Sequence, residues 1–314
     1  MAENENWERE LVTKLATAAL KEQRRARLWG IFFKLLGFSY LTVLLIIGLG
    51  WTGHADVTGK KHTALVDLDG VIAPGGDGSA EKITASLDAA FEDKNTKGVV
   101  LRINSPGGSP VQAQTIYDEM RRLRKKYPNI PLYAVVEDIC ASGGYFVAAG
   151  ADRIYVSKSS LVGSIGVIIN GFGFTGLMDK LGIERRLITS GENKAFLDPF
   201  SPLQEKHREF AQKLAGEIHQ QFIAAVREGR GKRLKEGPDT FSGLFWSGEK
   251  SIELGLADGI GSLDYVAREV VKAEEIVDFT QKENLAERFA KRLGAGAASA
   301  LAEFAVRYAP GSFR

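Results

Sequence analysis

Between residues 28 and 51 the chain reads LWGIFFKLLGFSYLTVLLIIGLGW, with Lys34 its sole charge. Residues 35–51 are uncharged, and with Ile31, Phe32 and Phe33 the run is long enough to cross about 30 Å of hydrocarbon as a helix. Lys34 lies near its amino-terminal end, where the stem can carry the ammonium toward headgroups. Lys14, Lys21, Arg24, Arg25 and Arg27 precede the run, against only Lys60 and Lys61 in a comparable stretch after it. That asymmetry predicts a cytoplasmic amino terminus, with everything after residue 52 on the other side. A cleaved signal peptide is the rival reading. Gly53-His54-Ala55 is a poor small-x-small cleavage site, however, and the charged leader is far longer than an ordinary n-region, so an uncleaved anchor over residues 28–51 is predicted. Trp7, Leu11, Leu15 and Ala18 fall at helical spacing, which predicts a short amphipathic leader over residues 1–27, lying on the cytoplasmic surface.

Residues 52–62 (TGHADVTGKKH) read as a polar linker. Beyond them apolar strands alternate with amphipathic helices. Strands are predicted at 63–69, 98–103, 131–136, 153–157, 165–169 and 184–189. Ile83, Leu87, Ala90 and Phe91 mark one helix, Ile116, Met120 and Leu123 a second. A long helix at about 203–228 carries Phe210, Leu214, Ile218 and Phe222 along one seam. This alternation predicts an α/β domain over residues 63–272. Residues 273–314 read as an amphipathic helical tail. The 41 basic and 39 acidic residues leave a net charge of +2, which gives no reason to expect a nucleic-acid partner. A single cysteine, Cys140, rules out an intrachain disulfide and a cysteine-rich metal site, and the four histidines form no His-Glu-x-x-His pair.

The stretch ALVDLDGVIAP, residues 64–74, looks like the opening motif of haloacid-dehalogenase phosphatases, with Asp67 as nucleophile. An aspartyl nucleophile facing a phosphate needs a later lysine and a distal acidic pair to hold magnesium. Asp258 and Asp264, in LADGIGSLD, lack the Gly-Asp-x-x-x-Asp arrangement. Asp67 and Asp69 are therefore read as one face of a strand ending in a glycine turn.

Three other stretches fit together better. INSPGGSP, residues 103–110, follows an apolar strand, and Pro106-Gly107-Gly108 forces a tight turn whose N–H groups are unhindered; such preorganised dipoles suit an oxyanion hole. In VVEDICASGGYFVAAGADRIYVS, residues 135–157, a strand runs into Ser142, then Gly143-Gly144 and a small-residue helix. Ser142 thus lies at a helix amino terminus, where the Gly143 N–H can point at a developing oxyanion; the plainer reading is an ordinary N-cap. SGENKAFLDPFSPL, residues 190–203, puts Lys194 in a glycine-flanked turn. Taken singly, a turn, a cap and a surface lysine would account for all three.

Glycine turn, Ser-Gly-Gly, Gly-Ser-Ile-Gly and lysine follow one another here in an order and spacing that resemble the signal peptide peptidase A family, membrane-bound serine–lysine peptidases related to Clp protease and crotonase folds. The resemblance runs from about residue 63 to 270 and includes FWSGEKSIELGLADGIGSLDYV, residues 245–266. It implies a Clp/crotonase-like α/β domain of repeated strand-strand-helix units. It further implies Ser142 as nucleophile, Lys194 as general base and Ser164, in VGSIGV, as the hydroxyl that positions the lysine. The oxyanion donors would be backbone N–H groups of Gly143 and of Gly107 or Gly108. Short chains of the family assemble as homo-oligomeric rings in which the neighbouring protomer contributes the lysine.

A free lysine titrates near 10.4, so a lysine base must sit dry and apart from carboxylates, at about 4 kcal/mol of destabilised ammonium. Glu192 and Asp198 are accordingly expected to point away from Lys194. Such chemistry requires no metal, nucleotide or other cofactor. Cys140, two residues before Ser142, has no histidine in a matching motif and is read as a buried structural thiol. The resulting expectation is a bacterial inner-membrane endopeptidase with a periplasmic catalytic domain, cleaving remnant signal peptides or other short hydrophobic peptides that enter from the bilayer. Its rivals are a peptidase acting on membrane-protein fragments, an inactive anchored scaffold of the same fold, and an acyl-CoA enzyme of the crotonase type. The last is disfavoured because a periplasmic domain has no supply of that cofactor.

Overall fold

The first element of the structure, a computed structural model that describes residues 2–48 and 59–281, is a single helix, α1 (Ala2–Gly48). Leader and apolar run join in it with no break at residue 27. Its segment Thr13–Leu45 is long and apolar enough to cross a membrane, and the side chains there are exposed. A helical surface of Leu, Ile and Phe that is exposed among the described residues suits lipid as its solvent. The expected linker up to residue 58 and the expected tail beyond 281 lie outside the described residues, while the start of that tail, expected to be helical, is instead a strand at Ile276–Asp278.

Residues 57–282 form a separate unit, built on strands β1 (His62–Asp69), β2 (Thr96–Ser105), β3 (Leu132–Ala141), β4 (Arg153–Val156), β5 (Leu161–Gly163), β6 (Phe245–Ser247), β7 (Gly259–Ile260) and β8 (Ile276–Asp278). They make one sheet in the order β6-β5-β3-β2-β1-β8, with β4 pairing β3 and β7 pairing β4. Every pairing is parallel except β5 with β6. The central strand β2 buries Val99, Val100, Leu101 and Ile103, the continuous apolar run of a strand covered on both faces. Helices α2 (Ala80–Glu92), α3 (Pro110–Lys126) and α4 (Gly143–Ala148) pack on one face. Ile83, Leu87, Ala90 and Phe91 of α2 and Ile116, Met120 and Leu123 of α3 are buried there, as their spacing predicts. Helix α3 starts where it does because Pro110 occupies its first turn and the Ser109 hydroxyl accepts the Gln112 N–H. The other face is covered from residues 263–271, through Val266 against Val100, Val135 and Tyr155. The α/β expectation therefore holds.

Two expected strands are absent. Residues 165–174 have no regular structure, helix α5 (Thr175–Leu181) follows, and residues 184–189 are coil. Ile165 is buried, but most of their other apolar residues are exposed: Ile168 is 84% exposed and Ile188 97%. The long helix α6 (Glu205–Arg230) forms as expected, but only the lower part of its seam packs. Phe222 is buried, whereas Phe210 is 59% exposed.

Helix α6 is locked to the sheet at its end by Arg230, 1% exposed, which grips both carboxylate oxygens of Asp258 at 2.8 and 3.0 Å. Asp258 also accepts the Ile154 N–H of β4 at 2.7 Å and an Arg233 contact at 3.1 Å. Burial acts to raise the Asp258 pKa, but the hydrogen bonds and charge of Arg230, with the Ile154 N–H and Arg233, outweigh it and hold the carboxyl below its ordinary range.

Candidate active site

Strand β3 ends at Ala141, and the next residue, Ser142, turns the chain into α4 with φ 52° and ψ −124°. A non-glycine residue at positive φ costs about 1–3 kcal/mol and persists only where its surroundings hold it. All six residues of α4 are buried, the Ser142 N–H donates to the Gly163 carbonyl at 2.9 Å, and the Ser142 carbonyl accepts the Phe146 N–H at 3.0 Å. The Ser142 side chain makes no capping hydrogen bond, so this is not the ordinary N-cap of the plainer reading. It is a strained strand-to-helix turn that presents a half-buried hydroxyl.

The glycine turn is pressed against it. A Cβ on Gly107, whose φ is +100°, would stand 2.6 Å from the Gly143 nitrogen and 2.7 Å from the Ser142 Cβ. The Ser105 hydroxyl fixes this turn by donating to the Gly70 carbonyl at 2.6 Å and accepting the Gly107 N–H at 3.1 Å. On the far side, the Gly107 carbonyl accepts the Ile72 N–H at 2.9 Å and the Ser109 N–H donates to the Ile72 carbonyl at 2.8 Å. Those two bonds of the parallel bridge between Ile72 and Gly108 face the Gly108 N–H away from Ile72. Among the described residues, neither the Gly108 nor the Gly143 N–H has an acceptor. Both residues line, with Ser142, a pocket of about 40 Å³ walled by Ala113, Phe146, Val167 and Phe222.

Ser164 lies beside this pocket's wall. Ala141 pairs with Gly163 across β3 and β5, so Ser142 and Ser164 occupy equivalent positions just past the two strand ends. Ser164 also has φ 52°, and its N–H donates to the Leu244 carbonyl at 2.7 Å. One residue on, the Ile165 carbonyl lies 3.0 Å from Nε2 of His219 on α6.

Lys194 is exposed, on a run of tight turns, and is not among the residues lining the Ser142 pocket. Phe196 anchors that run edge-on against His207 at 5.4 Å and Phe210 at 5.5 Å. Glu192 pairs with Lys206 at 2.6 Å, which holds its carboxyl below the ordinary range. Asp198 is held low in the same way, by Ser201 at 2.6 Å and then Arg185 at 3.4 Å. Both neighbouring acids are thus engaged away from Lys194. The single chain brings together Ser142, Ser164, Gly107, Gly108 and Gly143, and leaves Lys194 outside that group. His219 carries no motif signal, and Ser105, though inside INSPGGSP, is not singled out there; only the folded chain reveals their contacts.

Asp67 is held bidentately by Arg102 at 2.7 and 2.8 Å, and Asp69 accepts from Asn104 at 3.1 Å. Cys140 is fully buried, and burial pushes its thiol far above the ordinary range, the state of a packed thiol rather than a nucleophile.

The sequence pattern of peptidase family S49 matches residues 124–277, and that of Clp protease matches residues 70–162. A candidate protease of Methanocaldococcus jannaschii is 32% identical over 273 residues, 82% of this chain and 85% of its own length. A candidate signal peptide peptidase SppA of Enterococcus faecium is 30% identical over 229 residues, 70% of this chain and 66% of that one. The Na(+)/H(+) antiporter NhaA of Brucella melitensis is 44% identical over 209 residues, 65% of this chain, which spans only 28% of the antiporter's length. With the S49 pattern and a relative shared over most of both lengths, the chain belongs to peptidase family S49, the signal peptide peptidase A family.

Proposed function

We propose that the chain is a membrane-anchored serine endopeptidase that cleaves short hydrophobic peptides, remnant signal peptides among them, through an acyl-enzyme on Ser142. The observation that carries this reading is the uncapped Ser142 hydroxyl on a positive-φ turn beside the unengaged N–H groups of Gly108 and Gly143. Strain at a nucleophile is retained where it serves geometry that an unstrained turn would not give. The neutral amine of Lys194 from a neighbouring copy takes the Ser142 proton as Oγ attacks the scissile carbonyl. Gly108 and Gly143 donate to the oxyanion, each such donor being worth about 10²–10³ in rate. The Gly107 N–H is engaged by Ser105, so Gly107 serves the turn. Collapse expels the peptide amine, which takes the proton from the lysine ammonium. The Lys194 amine, neutral again, deprotonates water, which attacks the acyl group; collapse releases the free acid, and the lysine ammonium returns its proton to Ser142 Oγ. The Ser164 hydroxyl holds the lysine in line.

Sharing between copies is favoured by two features. Lys194 is exposed in the single chain, without the dry surroundings that a lysine base requires. The segment around it also displays Ile168, Phe172 and Ile188, an apolar surface that self-association into a ring would cover. The small apolar pocket at Ser142 suits small aliphatic side chains. Helix α1 would anchor the enzyme in a bacterial inner membrane, amino terminus in the cytoplasm and catalytic unit in the periplasm.

A serine-reactive phosphonate probe tests the reading. It should label the wild-type protein and not Ser142→Ala, with the adduct mass on the peptide containing residue 142. Equal labelling of both, or of neither, would favour the scaffold alternative.

A further inference from the structure

We infer that His219 is a positioning residue for the Ser142 site, its imidazole pinning the Ser164 turn through the Ile165 carbonyl. The inference rests on the serine–lysine reading above. Residues 163–165 are tied at three points, each from a different part of the fold. The Gly163 carbonyl accepts the Ser142 N–H at 2.9 Å, and the Ser164 N–H donates to the Leu244 carbonyl at 2.7 Å. Both of those are backbone bonds that any side chains would permit. The third, between Nε2 of His219 and the Ile165 carbonyl at 3.0 Å, depends on the side chain at position 219.

Two consequences follow from its place. Ile165 is fully buried, and among the described residues the His219 ring is the side chain within hydrogen-bond distance of its carbonyl; losing a buried carbonyl's partner is costly. Ser164, one residue earlier, is held at φ 52° against its intrinsic preference, so a freed turn relaxes toward negative φ and re-aims the hydroxyl. The bond also links the two chain segments that wall the Ser142 pocket. Gly166 and Val167 of one wall follow Ile165 in the chain, and Ile218, Gln221 and Phe222 of the other flank His219 on α6. Since the carbonyl can only accept, Nε2 must carry the proton, and both the neutral ring in that tautomer and the imidazolium donate.

The experiment uses the full-length protein as wild type, Lys194→Ala, His219→Ala and His219→Gln. An apolar fluorogenic peptide supplies kcat and KM, and a serine-reactive phosphonate the rate of Ser142 acylation, with assays run well below each variant's melting transition. His219→Ala should lose about 10- to 100-fold in kcat and in acylation rate, the scale of one buried hydrogen bond, with KM changed less than about 3-fold. His219→Gln, whose amide N–H can reach the same carbonyl, should recover most of both rates. Wild-type kcat in His219→Ala, a loss confined to KM, or a folded His219→Gln no better than alanine would overturn the inference. Should the wild type fail to acylate at Ser142, or Lys194→Ala acylate as fast as wild type, the serine–lysine reading itself falls; normal controls with an unaffected His219→Ala sink the positioning role alone.

Discussion

Ser142 and Ser164 stand at matched positions past two paired strand ends, each at φ 52°, and the Ser142 N–H donates to the carbonyl that immediately precedes Ser164. Two strained serines braced in this way form one rigid unit, and among the described residues neither hydroxyl has a hydrogen-bond partner. A serine at positive φ has no structural advantage over glycine, so its presence twice in adjacent turns points to the hydroxyls themselves.

Replacing Ser142 by glycine should therefore separate stability from chemistry. Glycine relieves the positive-φ penalty, and a relief of about 1 kcal/mol raises the melting temperature of a unit this size by about 2–4 °C. Alanine keeps the Cβ and the strain. We expect Ser142→Gly to melt higher than Ser142→Ala, with peptidase activity abolished in both. Scanning calorimetry of the two variants checks this, and a glycine variant no more stable than alanine would mean that the turn is unstrained.

Gly107→Ala should be among the most damaging single-atom additions. The new Cβ would meet the Gly143 nitrogen at 2.6 Å and the Ala141 carbonyl oxygen at 2.8 Å, both backbone atoms that cannot move aside cheaply. The glycine turn must then retreat from Ser142, carrying the Gly108 N–H with it. A loss of about 10² or more in kcat is expected, the scale of a misplaced oxyanion donor, together with a lower melting temperature. Full activity in Gly107→Ala would show that the two turns need not touch.

Much of this arrangement was legible in the sequence, for identifiable reasons. Ile83, Leu87 and Phe91 reveal α2 because helical burial is periodic and local. Ser142 stands out because glycines are needed where two backbones meet. The strands expected at 165–169 and 184–189 failed because apolar alternation signals a buried face without naming what buries it, and Ile188 is almost fully exposed in the single chain. For the same reason Phe210 looked like core. His219 left no trace in the sequence, since its contact with Ile165 joins residues 54 apart, one on α6 and the other just past β5.

Acid should weaken the fold through Asp258. Its folded pKa is depressed by Arg230, so the carboxylate contributes stability that is fully present above the unfolded value of about 3.9 and is lost as pH falls through the lower folded value. Asp258→Ala leaves the Arg230 guanidinium buried without a counter-charge. That should cost about 3–5 kcal/mol, on the order of 10 °C in melting temperature, at neutral pH. As pH falls below about 4 the wild type should lose ground on the variant, narrowing the gap. Melting curves through that fall in pH decide it, and a constant gap would remove Asp258 as the titrating group.

Asp67→Asn and Asp69→Asn should keep wild-type peptidase activity. The Asp67 pair with Arg102 is partly solvated, and such pairs contribute about 0–1 kcal/mol to stability. Neither acid lines the Ser142 pocket. A variant that acylates at Ser142 normally but has lost magnesium-dependent phosphatase activity would instead reinstate Asp67 as a nucleophile.

Mixing two inactive variants tests where the base comes from. In a head-to-tail ring each site would take Ser142 from one copy and Lys194 from the next. Ser142→Ala chains retain a working lysine, and Lys194→Ala chains a working serine. In an equimolar, fully exchanged mixture, half the copies offer a serine and half of their neighbours a lysine, so about a quarter of the sites should be whole. Activity should rise from zero in either pure sample toward that fraction of wild type as subunits exchange in detergent, and the phosphonate should label only Lys194→Ala chains. The exposed Lys194 and its engaged acidic neighbours, Glu192 and Asp198, fit a base that becomes dry only on assembly. No recovery at any ratio, with exchange verified by a mass-tagged chain, would require Lys194 to fold back onto its own Ser142.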